Sequence, residues 1–280
     1  MAKKYLRILY LPGIEGQYKL WRNVFERETA ASDEVYQFGN IIGLNDNAKD
    51  TSENRGFNQD LLVAIASRLS LSRWNQLVGP NEITALNMPS EWTNQRSRKL
   101  LRDMWMGENP MRVAVAVRGR LISHGGLTYG EWVDLGKPQT ASEAARLLNE
   151  KYQKTLYQGR CYLLGNPPNY SANPIWAHPS RELYPSWITA PESLPFDQIT
   201  GGGSLNEAEG RLLMEGDESL YKWVDVIRHR RYGSKLEING QRIISTGLEL
   251  DEEILPSIPQ DRQLYVERLE LNSSTIQRPF

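Results

Sequence analysis

The strongest constraint on the fold is the alternation of strand-like and helix-like segments in the N-terminal part of the chain. Residues 5–11, 34–38 and 74–78 are short runs rich in β-forming residues, and each is followed by a turn that contains glycine. Between these runs, residues 18–28 and 58–71 carry apolar side chains at helical spacing. The order strand, helix, strand, helix, strand predicts an α/β fold.

The remainder of the chain adds further elements in a less regular order. Residues 94–105 and 140–157 have helical periodicity, and residues 111–126 are typical of two strands around a turn at Gly119. Strand patterns return after residue 220, in "YKWVDVIRH", "GQRIISTGLEL" and "RQLYVERLEL". These segments extend the sheet structure beyond the N-terminal alternation.

Two segments lack a clear period. Residues 160–205 are rich in Pro, Asn and Trp, which predicts a loop-rich excursion that caps one end of the sheet. Residues 272–280 are polar and are expected to form a loose tail or to dock onto a partner. Because 40% of the 280 residues are hydrophobic, the chain can bury one large core, and we expect a single domain over residues 1–280.

Composition excludes several classes of partner. The net charge is −1, so no overall field attracts nucleic acid or an anionic membrane surface. No apolar run reaches the roughly 18 residues that a membrane-spanning helix needs. The single cysteine, Cys161, cannot form an internal disulfide and fits a reducing compartment. We therefore expect a cytoplasmic or otherwise intracellular protein that binds neither membrane nor nucleic acid.

The turns after the predicted strands are the places to search for chemistry. Functional residues of an open α/β sheet gather outside the carboxyl ends of its strands. The turns are "PGIEG" at 12–16, "GNIIGLN" at 39–45, "GPNE" at 79–82, "SHGGL" at 123–127, and "RHRR" at 228–231 with "ISTG" at 244–247.

In order and approximate spacing, these turns resemble the signature blocks of the calcineurin-like metallophosphoesterases, in the branch of serine/threonine protein phosphatases and diadenosine tetraphosphatases. That family shows G-D-x-H-G, G-D-x-x-D-R-G, G-N-H-E, H-G-G-L, and a G-H before a strand that ends in D-T-G. The resemblance covers roughly residues 5–130 and 220–250 and is strongest at His124–Leu127 and in "INGQRIISTG" at 238–247. It implies a four-layer α/β/β/α sandwich of two mixed sheets.

The resemblance also implies that most metal and catalytic positions are altered in the first two blocks. Gly13 and Glu15 stand where the family has an Asp and a His that bind one metal. Asn40 stands where the family has the Asp that bridges two metals. Gly43 and Leu44 replace an Asp that orients the catalytic His and an Arg that binds phosphate.

The last three blocks keep two histidines and little else. Pro80 and Asn81 stand where the family has an Asn ligand and the His that protonates the leaving group. His124 and His229 match the two His ligands of the second metal. The remnant site that the resemblance implies therefore comprises Gly13, Glu15, Asn40, Gly43, Asn81, His124 and His229.

The chemistry of these replacements argues against a two-metal centre. Two adjacent divalent ions require an anionic bridge, and the side chain of Asn40 is neutral. The amide of Asn81 cannot act as a general acid because it does not titrate. We expect no cofactor, or at most one divalent metal (Zn, Mn or Fe). The side chains available to such a metal are Glu15, Asn40, His124 and His229. A glutamate in such a turn more often caps the following helix, which is the interpretation that we favour for Glu15.

Two classes of function are compatible with these residues. The first is a pseudophosphatase, a catalytically inactive protein that serves as a scaffold or binding module with a protein partner or in a larger assembly such as a virus particle. The second is a mononuclear metal-dependent phosphoesterase that acts on a phosphoester or nucleotide. A protein that holds a nucleotide without cleaving it is a third alternative. We favour the inactive binding module.

Overall fold

The structure of the protein is a computed structural model. The described residues are 7–11, 13–14, 16, 18, 21–22, 26–30, 33–43, 51–87, 93–157, 173–177, 182–183, 186–187, 189–201, 213–216, 222–225, 232–238, 241–245 and 264–270.

Strands and helices alternate in the N-terminal part of the chain and strands dominate the C-terminal part. The helices are α1 (Glu26–Ala30), α2 (Thr51–Ala66), α3 (Pro80–Asn87), α4 (Gln95–Met106), α5 (Tyr129–Asp134) and α6 (Ala141–Tyr157). The strands are β1 (Arg7–Leu11), β2 (Glu34–Gln37), β3 (Trp74–Gln76), β4 (Ala114–Val117), β5 (Arg120–Ser123), β6 (Asp197–Thr200), β7 (Leu213–Gly216), β8 (Lys222–Asp225), β9 (Tyr232–Ile238), β10 (Gln241–Ser245) and β11 (Leu264–Glu270).

These strands form two mixed sheets. The first has the order β3-β2-β1-β7-β8, in which β1, β2 and β3 are parallel and β7 and β8 are antiparallel to their neighbours. The second has the order β11-β9-β10-β6-β5-β4, with parallel pairing of β6 to both β5 and β10. The α/β class predicted from the sequence is therefore confirmed, with two mixed sheets accompanied by helices.

The core has one cluster of buried side chains that draws on both sheets. Tyr10, Tyr36 and Phe38, from β1 and β2 and the residue after it, share this cluster with Ile122 and Ile199 from β5 and β6. The neighbouring residue of β1, Leu11, belongs to a different cluster that includes side chains of α2 and α6. Alternate residues of a strand point to opposite faces, so β1 has buried side chains on both faces of the first sheet.

One central strand lies inside the predicted loop-rich excursion. β6 is flanked by β5 and β10, although residues 160–205 as a whole are expected from the sequence to lack regular structure. Its sequence "DQIT" carries three polar residues, so no apolar run indicates a strand. The buried amide of Gln198 is hydrogen-bonded, because it donates to the Leu127 carbonyl at 3.1 Å and accepts the Leu127 N–H at 2.7 Å.

Other described parts of the excursion are packed into the core. Ile175, Leu183 and Trp187 are buried, and Trp187 donates its indole N–H to the Leu127 carbonyl at 2.7 Å. The predicted tail, residues 272–280, lies outside the described residues. The described helices include none with the length and hydrophobicity of a bilayer-spanning segment.

The β4–β5 hairpin confirms the turn predicted at Gly119. Its two turn residues, Arg118 and Gly119, both have positive φ, +48° and +76°, which is the conformation of a type I′ turn. The other end of β4 is covered by Asn149 of α6, whose amide accepts from Val113 and Ala114 and donates to the Ala114 carbonyl at 2.7 Å. The Asn149 side chain therefore hydrogen-bonds backbone groups of β4 that would otherwise be unpaired at the edge of the second sheet.

Candidate functional site

The turns that follow β1, β2 and β3 meet at one edge of the first sheet. The Ile14 N–H donates to the Asn40 carbonyl at 2.9 Å, and the Gly16 N–H donates to the Ile41 carbonyl at 2.9 Å. The first two turns therefore run side by side, as the carboxyl ends of adjacent parallel strands require. This is the edge at which the sequence predicts functional residues.

Close backbone approach explains the glycines in these turns. Gly39 has φ +87°, and a Cβ there would lie 2.1 Å from the backbone nitrogen of Gly79. A Cβ on Gly79 would lie 2.5 Å from both the backbone nitrogen and the Oδ1 of Asn40. A Cβ on Gly13 would lie 2.8 Å from the Cβ of Asn40. A metal-binding side chain at position 13 would collide with Asn40 in this packing.

Glu82 is the central ionisable group among the described residues of these turns. It is completely buried, and its carboxyl accepts four backbone N–H groups. Oε2 accepts from Asn40 at 2.8 Å and from Gly79 at 2.8 Å, and Oε1 accepts from Ile41 at 2.6 Å and from Ile42 at 3.3 Å. Burial raises the pKa of Glu82, and the four N–H groups oppose that increase. Because each neighbour is a donor, the ionised carboxylate is the form that this geometry accommodates.

The same contacts cap the N-terminus of α3. Pro80 is the first helical residue, where a missing N–H costs nothing, and Glu82 reaches back to the N–H of Gly79 as in a capping box. Gly79 has no side chain to cap the helix itself. Asn40 from the second turn supplies that acceptor, because its Oδ1 receives the N–H of Asn81 at 3.0 Å.

Asn81 and Asn40 thus serve as ties between turns. The amide of Asn81 donates to the Ile42 carbonyl at 2.6 Å, which binds α3 to the turn after β2. Asn40 adopts a positive φ of +51°, a conformation that asparagine tolerates better than most residues. Gly43, at the end of this turn, exchanges two hydrogen bonds with the amide of Asn58 on α2, at 2.9 and 3.2 Å.

His124 connects this edge to the second sheet. It lies directly after β5, is buried, and bonds through Nδ1 to the Phe38 carbonyl oxygen at 2.7 Å. Burial lowers the pKa of His124 to about 4, while the bond to Phe38 opposes that shift. Neutral imidazole must carry its proton on Nδ1 to donate to a carbonyl, so Nε2 holds the lone pair.

The turn that contains His124 is itself held by its neighbours. The His124 carbonyl accepts the Gly201 N–H at 3.0 Å, and the Gly125 N–H donates to the Pro174 carbonyl at 2.6 Å. Three other segments therefore hold this turn: Phe38 after β2, Pro174, and Gly201 after β6.

The structure brings together five of the residues predicted for the remnant site. Gly13, Asn40, Gly43, Asn81 and His124 lie in hydrogen-bonded or adjoining turns. Glu15 and His229 lie outside the described residues.

Of the four side chains predicted as possible metal ligands, the structure describes Asn40 and His124, and these two offer few free donor atoms to a metal ion. Asn40 Oδ1 already accepts a helix N–H, which leaves one imidazole nitrogen of His124 as the strong donor. Across the described ranges, no group of three or more His, Cys, Asp or Glu side chains is placed to hold a metal ion.

The sequence identifies the turn "GPNE" but assigns no function to its last residue, Glu82. The signal was nevertheless present, because glycine, proline and a glutamate three positions after the glycine form a typical helix start. The turn can thus be explained as a helix N-terminus without reference to any catalytic block.

Comparison with known proteins identifies distant structural similarity only. No family model and no curated protein sequence matches the chain. The chain is similar to a solved mutant of a cold-active protein tyrosine phosphatase, with 13% identity, TM-score 0.47, and coverage of 75% of each chain. A protein tyrosine phosphatase from a psychrophilic Shewanella species gives 14% identity, TM-score 0.44, and 75% coverage of each chain. At these values we draw no functional argument from the similarity.

The comparisons do correct the family expected from the sequence. The solved structures that match are named protein tyrosine phosphatases, and we withdraw the assignment to the calcineurin-like metallophosphoesterases with its fold name. The physical reason is that glycine-rich turns after parallel strands recur throughout α/β proteins. The order and spacing of the turns are therefore not sufficient to assign a family. Such an assignment requires the reactive side chains, which this chain lacks at most of the family's positions.

Proposed function

We propose that this protein is a catalytically inactive binding module or scaffold. In this proposal the strand-end turns hold the fold together instead of contacting a reacting group. The single observation that supports it is the state of Glu82, whose carboxylate is buried and fully engaged by four backbone N–H groups.

The engagement of Glu82 removes it from acid–base chemistry. A general base needs a lone pair directed at a substrate proton within about 3 Å. Here both oxygens are directed at the N–H groups of residues 40–42 and 79, and none of the side chain is exposed. The side chains of Asn40 and Asn81 are likewise used to connect the turns, and amides do not titrate.

The proposal includes an arrangement of layers and an assembly. We infer that the two sheets lie face to face with helices outside, because Tyr10 and Phe38 share a buried cluster with Ile122 and Ile199. Such a module would bind a protein partner or form part of a larger assembly such as a virus particle.

Hydrolysis of para-nitrophenyl phosphate, with and without added Mn²⁺, tests the proposal. We expect the wild-type protein to release nitrophenol no faster than the His124→Ala variant, and purified protein to hold less than stoichiometric metal by elemental analysis. Arg102→Ala, a change at an exposed position on α4, controls for nonspecific effects of substitution. Turnover that is abolished by His124→Ala and retained in Arg102→Ala would overturn the proposal.

A phosphoester-acting protein is the second candidate, and the tautomer of His124 favours it. A neutral imidazole with its lone pair on Nε2, at the carboxyl end of a strand, suits both metal binding and nucleophilic chemistry. A nucleotide held without cleavage would raise the melting temperature in the presence of ATP and release no phosphate.

A further inference from the structure

The outer edge of β3 is only partly paired. The Val35 N–H donates to the Arg73 carbonyl and the Leu77 N–H donates to the Gln37 carbonyl, so the odd-numbered residues of this segment face β2. Residues 74 and 76 therefore direct their backbone groups outward. The Trp74 N–H donates to Leu71 at 2.9 Å, and the Gln76 carbonyl accepts from Arg112 at 2.9 Å.

Two backbone groups on the outer edge of β3 remain without a hydrogen-bond partner among the described backbone bonds. Among the backbone bonds of the described residues, the Trp74 carbonyl and the Gln76 N–H have no partner beyond the strand edge. They flank Asn75 and are spaced to receive one residue of a parallel strand. Arg112 already makes this pattern two residues further on, where it donates to Gln76 and accepts from Val78.

The reason that the chain does not continue this pairing is Pro110. In the parallel register that pairs Arg112 with Leu77, the residue opposite Asn75 would be Pro110. Proline has no N–H to give to the Trp74 carbonyl, so the ladder stops there. The next residue, Met111, donates its N–H on the side away from β3, to the Met104 carbonyl of α4 at 2.9 Å.

A cavity of about 90 Å³ lies where the ladder stops. Leu71, Trp74 and Pro110 give it apolar walls, and Arg112 is the one charged side chain among the described residues that line it. Its volume is well below the roughly 300 Å³ of a pocket for a cofactor-sized ligand. The space suits a side chain next to a short length of backbone. Leu71, one of the lining residues, is 40% exposed.

We propose that this edge of the first sheet receives an extended, acidic segment of a partner protein. One acidic residue of the partner pairs through its backbone with the Trp74 carbonyl and the Gln76 N–H, and the carboxylate of that same residue meets the guanidinium of Arg112. The recognition mode is strand addition, in which main-chain bonds supply affinity and side-chain contacts supply selectivity. This inference rests on the proposed function as a binding module and names its surface and its class of partner.

Charge selects the acidic segment over other occupants. Arg112 is exposed and rims the cavity, and none of the described residues that line the cavity is acidic. A basic segment would meet like charge there, and an apolar one would leave the guanidinium to water. The planar guanidinium favours a carboxylate that it can contact with two N–H groups.

Hydrogen exchange tests the open edge in the full-length protein. The Gln76 amide is expected to exchange at least tenfold faster than the Leu77 amide, whose N–H is bonded to Gln37. Equal protection of the two amides would contradict the unpaired edge, and with it the inference.

The partner class is tested with the peptide acetyl-Thr-Val-Asp-Val-Thr-amide, carrying a fluorophore for anisotropy. We expect binding with a dissociation constant below about 1 mM, equivalent to about 4 kcal/mol, and slower exchange of the Gln76 amide on binding. The Asn analogue and the N-methyl-Asp analogue remove the charge and the N–H respectively, and each is expected to bind at least tenfold more weakly.

Substitutions in the protein complete the test. Arg112→Glu is expected to weaken peptide binding at least tenfold, whereas Arg102→Glu, a charge reversal on α4 outside the cavity lining, leaves it unchanged. Absence of peptide binding, or equal effects of the two reversals, would refute the inference. Because no step involves turnover, peptide binding by a catalytically active protein would contradict only the proposed function. An inert protein that does not bind the peptide would contradict only this inference.

Discussion

Replacement of Glu82 by glutamine is the perturbation that most directly probes the strand-end turns. The substitution conserves size and removes only charge and acceptor capacity. The amide retains one oxygen, which can accept two of the four backbone N–H groups from residues 40–42 and 79. Its NH₂ group would face the other two N–H groups, donor against donor.

The magnitude follows from the two N–H groups that lose their acceptor. A buried backbone group without a partner costs about 1–3 kcal/mol. Two such groups predict a loss of about 4 kcal/mol in the free energy of unfolding of Glu82→Gln. That is a large share of the roughly 5–15 kcal/mol by which domains are stable.

Urea unfolding followed by far-UV circular dichroism measures this loss. Glu150→Gln is the matched control, because Glu150 lies on the exposed face of α6 and its described ion pair is with Arg146, one turn away. We expect that control to stay within about 0.5 kcal/mol of wild type. A Glu82→Gln protein within about 1 kcal/mol of wild type would refute the reasoning, since it would mean that the carboxyl does not carry these bonds as an anion.

Other predictions concern the second sheet and its connection to the first. The folded-state pKa of His124, about 4 against an ordinary 6.5, means that the unfolded chain takes up a proton that the folded protein excludes, so stability should fall as pH drops from 6.5 to 4. At about 1.4 kcal/mol per pH unit, the loss approaches about 3 kcal/mol, and denaturation of His124→Gln across this range should lack that part of the slope. Asn149→Leu removes three hydrogen bonds at the edge of β4 and should cost about 3 kcal/mol in urea unfolding; an unchanged midpoint would contradict the capping role. Arg118→Asn relieves a non-glycine residue at φ +48° and should raise stability by about 0.5–1 kcal/mol; a lower melting temperature would argue against the type I′ turn.

Local pattern was sufficient for much of the fold. The alternation of strand and helix in the N-terminal part predicted the α/β class, and the glycine at position 119 predicted the hairpin between β4 and β5. Helical periodicity predicted a helix over residues 94–105, which is observed as α4, and Asn94 caps it by accepting the Ser97 N–H. Each of these features depends on residues a few positions apart, which is why periodicity and turn residues could reveal them.

The family name shows where sequence pattern was insufficient. Turn order and spacing favoured one family of phosphoesterases, yet the same turns serve here to join strands and to start a helix. The turn "GPNE" is explained by the capping of α3, and this explanation requires no catalytic role for its residues. A motif without its reactive side chains describes a backbone shape, and many α/β proteins share that shape.

Local elements follow from the amino-acid sequence alone: which segments prefer strand, which prefer helix, and where glycine permits a turn. The use of the turns follows only from the packed molecule, because the decisive bonds join residues far apart in the chain. Glu82 binds the N–H of Asn40, 42 positions away, and His124 binds Phe38, 86 positions away. β6 illustrates the same limit, since three polar residues in four become a central strand once Gln198 bonds to the backbone of Leu127, 71 positions away. No local pattern encodes such pairings, because the free energy that fixes them is realised only when distant segments have packed together.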